Sequence, residues 1–251
     1  MLDSNVKPTP MLPIANHKSI KSSNNDRTFP YRKAIGALLH AASHTRLDIS
    51  FAVGYLARFQ SDPQNFHWAL VRRIFRYLKG TLELGILFDG NSNTVFDVYV
   101  DADHAGDPTC KSTSGFIIRM FGNPIAWSSK RQLSISESTA EAEYIAICDS
   151  AKELLFLTRL TEETLFKICP FEYPITIYED NIAALRKCKN SANKGRLKSI
   201  ELRYLKVIEY VKCGLLSVKK IKSKSQLADI LTKPVPADDF KIYMSQLMTR
   251  I

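Results

Sequence analysis

The first third of the chain has apolar residues at helical spacing. Between residues 31 and 79 they recur every three to four positions, and basic residues stand between those of the 66–79 stretch. This spacing predicts amphipathic helices, the last of which ends at Gly80. Residues 1–28 are instead rich in Pro, Ser, Asn and Lys, a composition typical of a flexible leader or of the remnant of a longer segment.

From residue 93 onward, strand patterns and helix patterns mix. Alternating or β-branched runs predict strands at 95–101, 115–121, 125–128, 175–178 and 216–221, with a turn at Gly122, Asn123 and Pro124. Helical spacing predicts helices at 138–164, 181–189 and 202–212, the last capped by Gly214. Ser225 is predicted to cap a short helix that Pro234 terminates. This order predicts an α/β protein with a mixed sheet and helices packed on it.

The same patterns predict four segments. They are a flexible leader (1–28), a helical segment (29–90), an α/β domain (93–234) and a C-terminal helical tail (235–251). The helical segment is too small to bury its own apolar faces, so we expect it to pack on a neighbour.

The long predicted helix places a carboxylate on its apolar side. On a wheel of about 100° per residue, Glu143 lies among Ile147 and Leu154, whereas Glu141 lies on the charged face. A carboxylate that faces the core is costly unless it is paired or binds a metal. The pattern therefore leaves two interpretations of Glu143, an ion pair with a buried Arg or Lys and a metal ligand.

Three aspartates occupy ends of predicted elements. Asp101 ends the first strand of the α/β domain, a position that a half-exposed edge strand would also explain. Asp180 follows a strand and begins a helix, where ligands often bind, although a plain N-cap would look the same. Asp229 lies in the first turn of a short helix, where the helix dipole alone could account for it. Together with Glu143, the set suits a hard cation such as Mg²⁺ or Mn²⁺.

The positive charge is concentrated in one stretch. The chain has a net charge of +10, and residues 181–225 contain 13 Lys or Arg against two acids, whereas the rest carries 22 bases against 23 acids. Such asymmetry favours a polyanionic partner, above all a phosphate backbone, and a basic membrane-facing surface is the weaker alternative.

Cysteine usage and the absence of targeting signals indicate an intracellular protein. The five cysteines form no Cys-x-x-Cys pair, so we expect reduced thiols rather than a zinc knuckle or a disulfide framework. No apolar run approaches the roughly 20 residues of a membrane span. The first residues also lack the layout of a signal peptide.

Six short segments contain the four acids or lie between them in the sequence. They are Tyr99–Asp103 (YVDAD), Lys111–Phe116 (KSTSGF), Trp127–Gln132 (WSSKRQ), Ala140–Ala146 (AEAEYIA), Ile177–Asn181 (IYEDN) and Gln226–Pro234 (QLADILTKP). In this order they resemble the ribonuclease H domain of copia-type retrotransposon Pol polyproteins. Upstream, Tyr31–Gly36 (YRKAIG), Arg46–Val53 (RLDISFAV) and Arg76–Thr81 (RYLKGT) are similar to the end of the family's reverse transcriptase. The resemblance spans about residues 31 to 245 and implies a ribonuclease H-like five-stranded mixed sheet flanked by helices, preceded by a small helical connection segment.

The resemblance also implies an activity. Asp101, Glu143, Asp180 and Asp229 match the family's catalytic acids, which would hold two Mg²⁺ ions, with Mn²⁺ as a substitute, and hydrolyse the RNA strand of an RNA–DNA hybrid. In this arrangement Asp101 would bridge the ions, Glu143 and Asp180 would hold one, and Asp229 would hold the other. The residues expected to contact phosphates are Lys130, Arg131, Lys194, Arg196, Lys198 and Arg203.

Partners and location follow from the same resemblance. We expect the reverse transcriptase portion of a Pol polyprotein as a partner, and no membrane or small-molecule cofactor. The expected location is the cytoplasm, in a virus-like particle, and/or the nucleus.

Two positions depart from the family pattern, and three hypotheses stay open. Ser199 stands where the family usually has His, and His104 where it usually has Trp. The intact acids favour an active nuclease. Ser199 and the lack of a polymerase Tyr-x-Asp-Asp motif favour a fragment that binds nucleic acid without cutting. In the third hypothesis the chain is structural and docks on a reverse transcriptase through the apolar face of residues 47–78.

Overall fold

The computed structural model describes residues 4–16, 29–106, 109–165, 171–189 and 205–250. Within these ranges the helices are α1 (Tyr31–His44), α2 (Ser50–Ala57), α3 (Asn65–Lys79), α4 (Thr139–Leu165), α5 (Ile182–Lys189), α6 (Leu205–Lys212) and α7 (Ala237–Leu247). The strands are β1 (Leu84–Gly85), β2 (Phe96–Asp103), β3 (Thr113–Met120), β4 (Asn123–Arg131), β5 (Ile175–Glu179), β6 (Leu216–Lys220) and β7 (Thr249–Arg250). None of the helices in these ranges combines the length and apolarity needed to cross a membrane.

The chain divides into two compact units. Unit 1 comprises Met1–Leu87 and Lys233–Ile251, and unit 2 comprises Phe88–Thr232. The predicted segments 29–90 and 235–251 thus contribute to the same unit, although the sequence pattern separates them. The predicted domain 93–234 covers most of unit 2.

Unit 1 is a small helical assembly built around α3. Tyr77 on α3 packs edge-on against Phe240 of α7, with ring centroids 5.9 Å apart, and β1 pairs antiparallel with β7. At its centre the buried Arg46 guanidinium donates to both carboxylate oxygens of Asp48, at 3.0 and 2.7 Å, and the Tyr77 hydroxyl donates to the same carboxylate. Both charges are therefore satisfied inside the unit.

Unit 2 is built on a five-stranded mixed sheet. The strand order is β4-β3-β2-β5-β6, with antiparallel pairing of β2 with β3 and of β3 with β4, and parallel pairing of β5 with β2 and β6. One face of the sheet packs its alternate apolar residues against α4, α5 and α6, as Val98, Ile177 and Leu154 illustrate. The predicted α/β class with a mixed five-stranded sheet flanked by helices is confirmed.

The strand directions bring four carboxyl ends to one edge of this sheet. Because β3 alone runs opposite to the others, β2, β4, β5 and β6 all end on the same side. In the register, Ala102 lies opposite Ser114, which lies opposite Lys130, while Glu179 lies opposite Lys220. Residues that follow the ends of the adjacent strands β2, β5 and β6 therefore lie near one another.

Local sequence explains the start of α4. The Ser138 hydroxyl accepts the Glu141 N–H at 3.2 Å, and the Glu141 carboxylate accepts the Glu137 N–H at 2.8 Å, so two backbone donors near the start of the helix are satisfied. The absence of Gly and Pro then lets the helix continue to Leu165, close to the predicted end at 164. This register fixes which side chains face the sheet.

Gly214 ends α6, as the sequence predicts. It has φ of +72°, and the Leu215 N–H bonds back to the Tyr210 carbonyl at 2.9 Å, a closure that a left-handed residue permits. The predicted hairpin turn at Gly122, Asn123 and Pro124 is one residue off. The turn is formed by Phe121 and Gly122, both with positive φ, and Asn123 and Pro124 already belong to the edge strand β4.

The element that contains Asp229 also differs from its prediction. It is a five-residue 3₁₀ helix, Leu227–Leu231, and its cap is the Gln226 side chain, which accepts the Ala228 N–H. Ser225 belongs to a separate 3₁₀ turn, Ser223–Ser225, so the prediction that it caps the helix is wrong. Four apolar residues are buried in five positions, which favours a tight turn pressed onto the sheet over a one-sided α-helix.

Candidate metal centre

Three of the four predicted acids meet at the carboxyl edge of the sheet. Asp101 lies in β2, Glu143 in the second turn of α4, and Asp180 directly after β5, and each offers a carboxylate oxygen within 4.8 Å of the others. Asp101 and Glu143 are each 3% exposed, and Asp180 is partly buried. Glu143 and Asp180 follow Asp101 by 42 and 79 positions in the sequence, and the fold brings all three carboxylates together.

Asp101 is held from the side of the sheet opposite α4. Its Oδ2 accepts a hydrogen bond from the Thr232 hydroxyl, which directly follows the 3₁₀ helix Leu227–Leu231. That helix lies against β2 and β3 at Gly115, whose position is paired with Asp101. The bond sets the orientation of the carboxylate.

Glu143 occupies the buried position that the helical wheel indicates. Its carboxylate accepts the backbone N–H of Ala102, and its Oε2 is buried without a hydrogen-bond partner among the described residues. No ion pair of Glu143 with Lys or Arg occurs in the described part of the chain, so the ion-pair interpretation has no support. Burial raises the pKa of Glu143 strongly, and the negative charges of Glu179, Asp101 and Asp180 raise it further.

Asp180 does not serve as the cap of α5. That role belongs to Asn181, whose Oδ1 accepts the N–H groups of Ala183 and Ala184 at 2.9 and 3.2 Å. The N-cap alternative for Asp180 is thereby excluded. The Asp180 carboxylate is directed toward Asp101 and Glu143 instead.

Asp229 lies in the 3₁₀ helix and is partly buried. Among the described residues it is not part of the three-carboxylate cluster. Its helix nevertheless contacts β2 and β3, the strands that pair at Asp101 and Gly115.

A further buried acid at this edge, Glu179, was not predicted from the sequence. Glu179 is 0% exposed, its Oε1 accepts the Asn181 N–H at 2.9 Å, and its Oε2 has no hydrogen-bond partner in the described ranges. Burial raises its pKa, and the charges of Asp101 and Asp180 add to the effect. The period of two in β5 carries the missing signal, because Glu179 shares the buried face of Ile175 and Ile177.

Exposed basic residues flank the acids on both outer strands. Lys130 and Arg131, predicted to contact phosphates, are exposed at the end of β4. At the end of β6 and just beyond it, four further lysines are exposed, Lys219, Lys220, Lys222 and Lys224. These four are not among the contacts predicted from the sequence, although they close the basic stretch. Lys194, Arg196, Lys198, Ser199 and Arg203 lie outside the described residues.

The donor set at the centre fits a hard divalent cation. All ligand atoms are carboxylate oxygens, and one oxygen each of Glu143 and Glu179 is buried without a hydrogen bond within the described part of the chain. Such a concentration of desolvated carboxylates is costly on its own, and a bound cation would offset that cost. The reduced cysteines of the described ranges, Cys110, Cys148, Cys188 and Cys213, are not part of it.

Comparisons with known proteins give a family. No family model matches the chain. The retrovirus-related Pol polyprotein from transposon TNT 1-94 of Nicotiana tabacum is 37% identical over 248 residues, which is 95% of this chain and 18% of that protein. The chain thus spans less than a fifth of the length of this relative.

Two solved structures also match. The foamy viral protease-reverse transcriptase in complex with RNA/DNA hybrid matches 90% of this chain and 28% of its own, at 14% identity and a TM-score of 0.50. LC11-RNase H1, isolated from compost, matches 55% of this chain and 93% of its own, at 18% identity and a TM-score of 0.41. At these identities the likeness concerns the fold alone.

The mixed sheet, the order of the acid-bearing segments and the sequence identity agree with one another. Along 95% of its length the chain is related to a part of these proteins, so it belongs to the family of retrovirus-related Pol polyproteins from copia-type transposons.

Proposed function

We propose that the chain hydrolyses the RNA strand of RNA–DNA hybrids with two Mg²⁺ ions. The observation that carries the proposal is the set of three carboxylates from β2, α4 and β5 whose oxygens lie within 4.8 Å of one another at the sheet edge. Family membership and the resemblance of the acid-bearing segments to the family's ribonuclease H domain support the same reaction class.

The chain's own residues account for binding the ions. Asp101, Glu143 and Asp180 hold the cations directly, and Asp229 approaches from the 3₁₀ helix beside β2. The Thr232 hydroxyl donates to Oδ2 of Asp101 and thereby helps to orient this carboxylate. When bound, Mg²⁺ supplies a water of lowered pKa and stabilises the charge that develops on the phosphate.

The flanking cations account for binding the substrate. Neighbouring strands are about 4.8 Å apart, so the basic ends of β4 and β6 stand roughly 19 Å apart with the acids between them. We propose that Lys130 and Arg131 contact one strand of the hybrid and that Lys220, Lys222 and Lys224 contact the other. Contacts of this kind position the duplex without reading its sequence. The selection of RNA then rests on 2′-hydroxyl contacts in the minor groove.

The test is cleavage of a labelled RNA–DNA hybrid by the full chain with Mg²⁺. DNA duplex, single-stranded RNA and a chelator serve as controls, and Glu153→Gln, an exposed change on the same helix as Glu143, is the matched variant. We expect cleavage of the hybrid by the wild type and Glu153→Gln, and a loss of at least about a hundredfold in Asp101→Asn and Glu143→Gln.

Two results contradict the proposal. One is a wild type that leaves the hybrid intact, and the other is equal cleavage by wild type and Asp101→Asn. Tight hybrid binding without cleavage would identify the chain as a binding fragment without the activity.

A further inference from the structure

Two glutamines inside unit 2 are buried as deeply as the acids. Gln226 is 0% exposed and Gln132 is 6% exposed. Both belong to segments that carry the family resemblance, QLADILTKP and WSSKRQ, yet neither has a role in the chemistry proposed above. A buried amide is retained only where its donors and acceptor are satisfied.

Gln226 bonds to three segments that each carry an acid. Its Nε2 donates to the Val100 carbonyl at 2.8 Å and to the Tyr178 carbonyl at 3.4 Å, and its Oε1 accepts the Ala228 N–H at 3.3 Å. Val100 directly precedes Asp101, Tyr178 lies two residues before Asp180, and Ala228 directly precedes Asp229. One side chain thus ties β2, β5 and the 3₁₀ helix together next to their acids.

Gln132 makes similar bonds next to Glu143, the remaining acid. Its Nε2 donates to the Ala142 carbonyl at 2.9 Å and to the Ser114 hydroxyl at 2.8 Å, and its Oε1 accepts the Ser136 hydroxyl at 2.7 Å. Ala142 directly precedes Glu143 in α4, and Ser114 lies opposite Ala102 in the sheet register. Gln132 therefore fixes the first turns of α4 to the strand beside β2.

We propose that Gln226 and Gln132 are positioning residues that hold the backbone of the four acid-bearing segments at the spacing the metal ions require. The inference rests on the proposed function, since it concerns the same metal centre. Mutual repulsion pushes the carboxylates apart, and bonds to the residues beside them oppose that spreading. A neutral amide is suited to this task, because a lysine or arginine in its place would neutralise the acids and compete with the cation.

The test replaces each glutamine by methionine, which has a similar length and no hydrogen-bonding amide. Ser150→Ala and Thr161→Val are the matched controls, because these buried hydroxyls in α4 donate to carbonyls of their own helix, at 2.8 and 2.9 Å. Two quantities are measured on the full chain, the affinity for Mn²⁺ by calorimetry and the rise in melting temperature that saturating Mg²⁺ produces.

We expect Gln226→Met and Gln132→Met to bind Mn²⁺ about 10- to 100-fold more weakly than wild type, the usual loss when a residue behind a metal ligand is removed. The Mg²⁺-dependent rise in melting temperature should shrink in parallel. The control variants should melt earlier with and without Mg²⁺ by equal amounts and keep the wild-type Mn²⁺ affinity.

A purely structural role gives another pattern. If both glutamine variants melt earlier but bind Mn²⁺ within twofold of wild type, the positioning role is overturned while the proposed function stands. If Gln226→Met does not fold, Gln132→Met decides the question alone. A wild type that binds no Mn²⁺ overturns the metal centre itself.

Discussion

At the scale of single residues, the candidate metal centre brings together carboxylates whose mutual repulsion opposes folding. Glu143 and Glu179 are both buried with raised pKa values, and each faces the charges of Asp101 and Asp180. Without a cation, these carboxylates oppose folding at neutral pH, because the unfolded chain ionises them freely. A cation bound by these side chains would therefore also stabilise the fold.

Neutralising one acid should stabilise the metal-free chain. We expect Glu143→Gln to raise the free energy of unfolding by about 1 kcal/mol or more at pH 7.5 in chelator, since one pKa unit is worth about 1.4 kcal/mol. A change of about 1 kcal/mol corresponds to a melting-temperature rise of roughly 2–4 °C. Glutamine keeps an oxygen for the Ala102 N–H. Glu153→Gln, on the exposed side of α4, should leave stability unchanged. A Glu143→Gln variant that melts at or below the wild-type temperature contradicts the argument.

The same shift sets the direction of a pH dependence. The pKa of Glu143 in the folded protein is raised above its ordinary value of 4.5. At pH values between the unfolded-state pKa and the folded-state pKa, the folded chain therefore holds more protons than the unfolded chain. The stability of metal-free protein should therefore fall as pH rises above about 4.5, and the fall should be shallower in Glu143→Gln. Thermal melts between pH 5 and 8 in chelator measure both slopes. Parallel slopes would show that Glu143 is not the source.

Sequence reasoning reaches some residues of this centre and misses others for a physical reason. Glu143 is predictable because a 27-residue helix has enough turns to define an apolar side. The alternation in β5 points to Glu179 as well, but a five-residue strand gives only a weak signal. The two glutamines lie in irregular segments, where no periodicity defines a buried side. The Gln226 amide donates to a backbone carbonyl 126 residues away, a partner that no local pattern contains.

At the scale of elements, the 3₁₀ helix Leu227–Leu231 depends on a close approach to β3. A Cβ added at Gly115 would lie 2.8 Å from the Leu231 Cβ, 2.7 Å from Thr232 Cγ2 and 3.3 Å from the Ala228 carbonyl. Only glycine lets the helix lie this near the sheet. The approach also brings the Thr232 hydroxyl to Asp101.

Gly115→Ala should therefore push this 3₁₀ helix off the sheet. We expect a loss of about 1–3 kcal/mol in unfolding free energy, as for other overpacked sites, together with weaker Mn²⁺ binding because Thr232 and Asp229 move. Gly36→Ala is the matched control. Nothing lies within 4 Å of its added Cβ in α1, so it should stabilise by roughly 0.5–1 kcal/mol. Chemical denaturation measures both changes, and a neutral Gly115→Ala would refute the close packing.

Element boundaries show where the sequence is informative. The start of α4 and the end of α6 are predicted to within a residue, because Ser138 and Gly214 satisfy specific backbone groups. The short helix after Ser225 is mistaken in both type and cap. Its conformation is set by packing against β2 and β3 and by the long-range bonds of Gln226, which outweigh local preference.

At the scale of the whole molecule, the acids of unit 2 lie between two groups of exposed basic residues, one at the end of β4 and one at the end of β6. The excess charge of residues 181–225 is only partly described by the structure, but Lys219, Lys220, Lys222 and Lys224 place its end at the carboxyl edge of the sheet. The net charge counted along the chain predicts a polyanionic partner. The strand order places that charge beside the candidate metal centre.

Neutralising the lysines at the end of β6 should weaken hybrid binding and reduce its dependence on salt. The triple change Lys220→Gln, Lys222→Gln and Lys224→Gln should lower hybrid affinity, and the slope of log affinity against log salt should become shallower by roughly 0.9 for each phosphate that is no longer neutralised. Lys152→Gln, an exposed change on α4, is the control and should affect affinity little. Fluorescence anisotropy over a salt series, in Ca²⁺ to prevent cleavage, provides the measurement. An unchanged slope would exclude phosphate binding by these lysines.

Unit 1 offers a test of its own construction. Each unit contains one of the two tryptophans, Trp68 in unit 1 and Trp127 in unit 2. Phe240→Ala removes the ring that packs on Tyr77 and should destabilise unit 1 by about 3–5 kcal/mol. In a Trp127→Phe background, tryptophan fluorescence reports on Trp68 alone, and its unfolding midpoint should fall. Ile242→Ala, an exposed change on the same helix, should leave that midpoint unchanged. An unmoved Trp68 midpoint in Phe240→Ala contradicts the assignment of α7 to unit 1.

The antiparallel pairing of β1 with β7 has a consequence for biosynthesis. Leu84 and Gly85 are made long before Thr249 and Arg250, and all of unit 2 is translated between them. On the ribosome, unit 2 has its complete sequence while unit 1 still lacks its closing helix and strand. During that interval Phe240 is not yet available to cover Tyr77 on α3. We therefore expect a chaperone or another nascent chain to contact the incomplete unit 1 at this apolar surface.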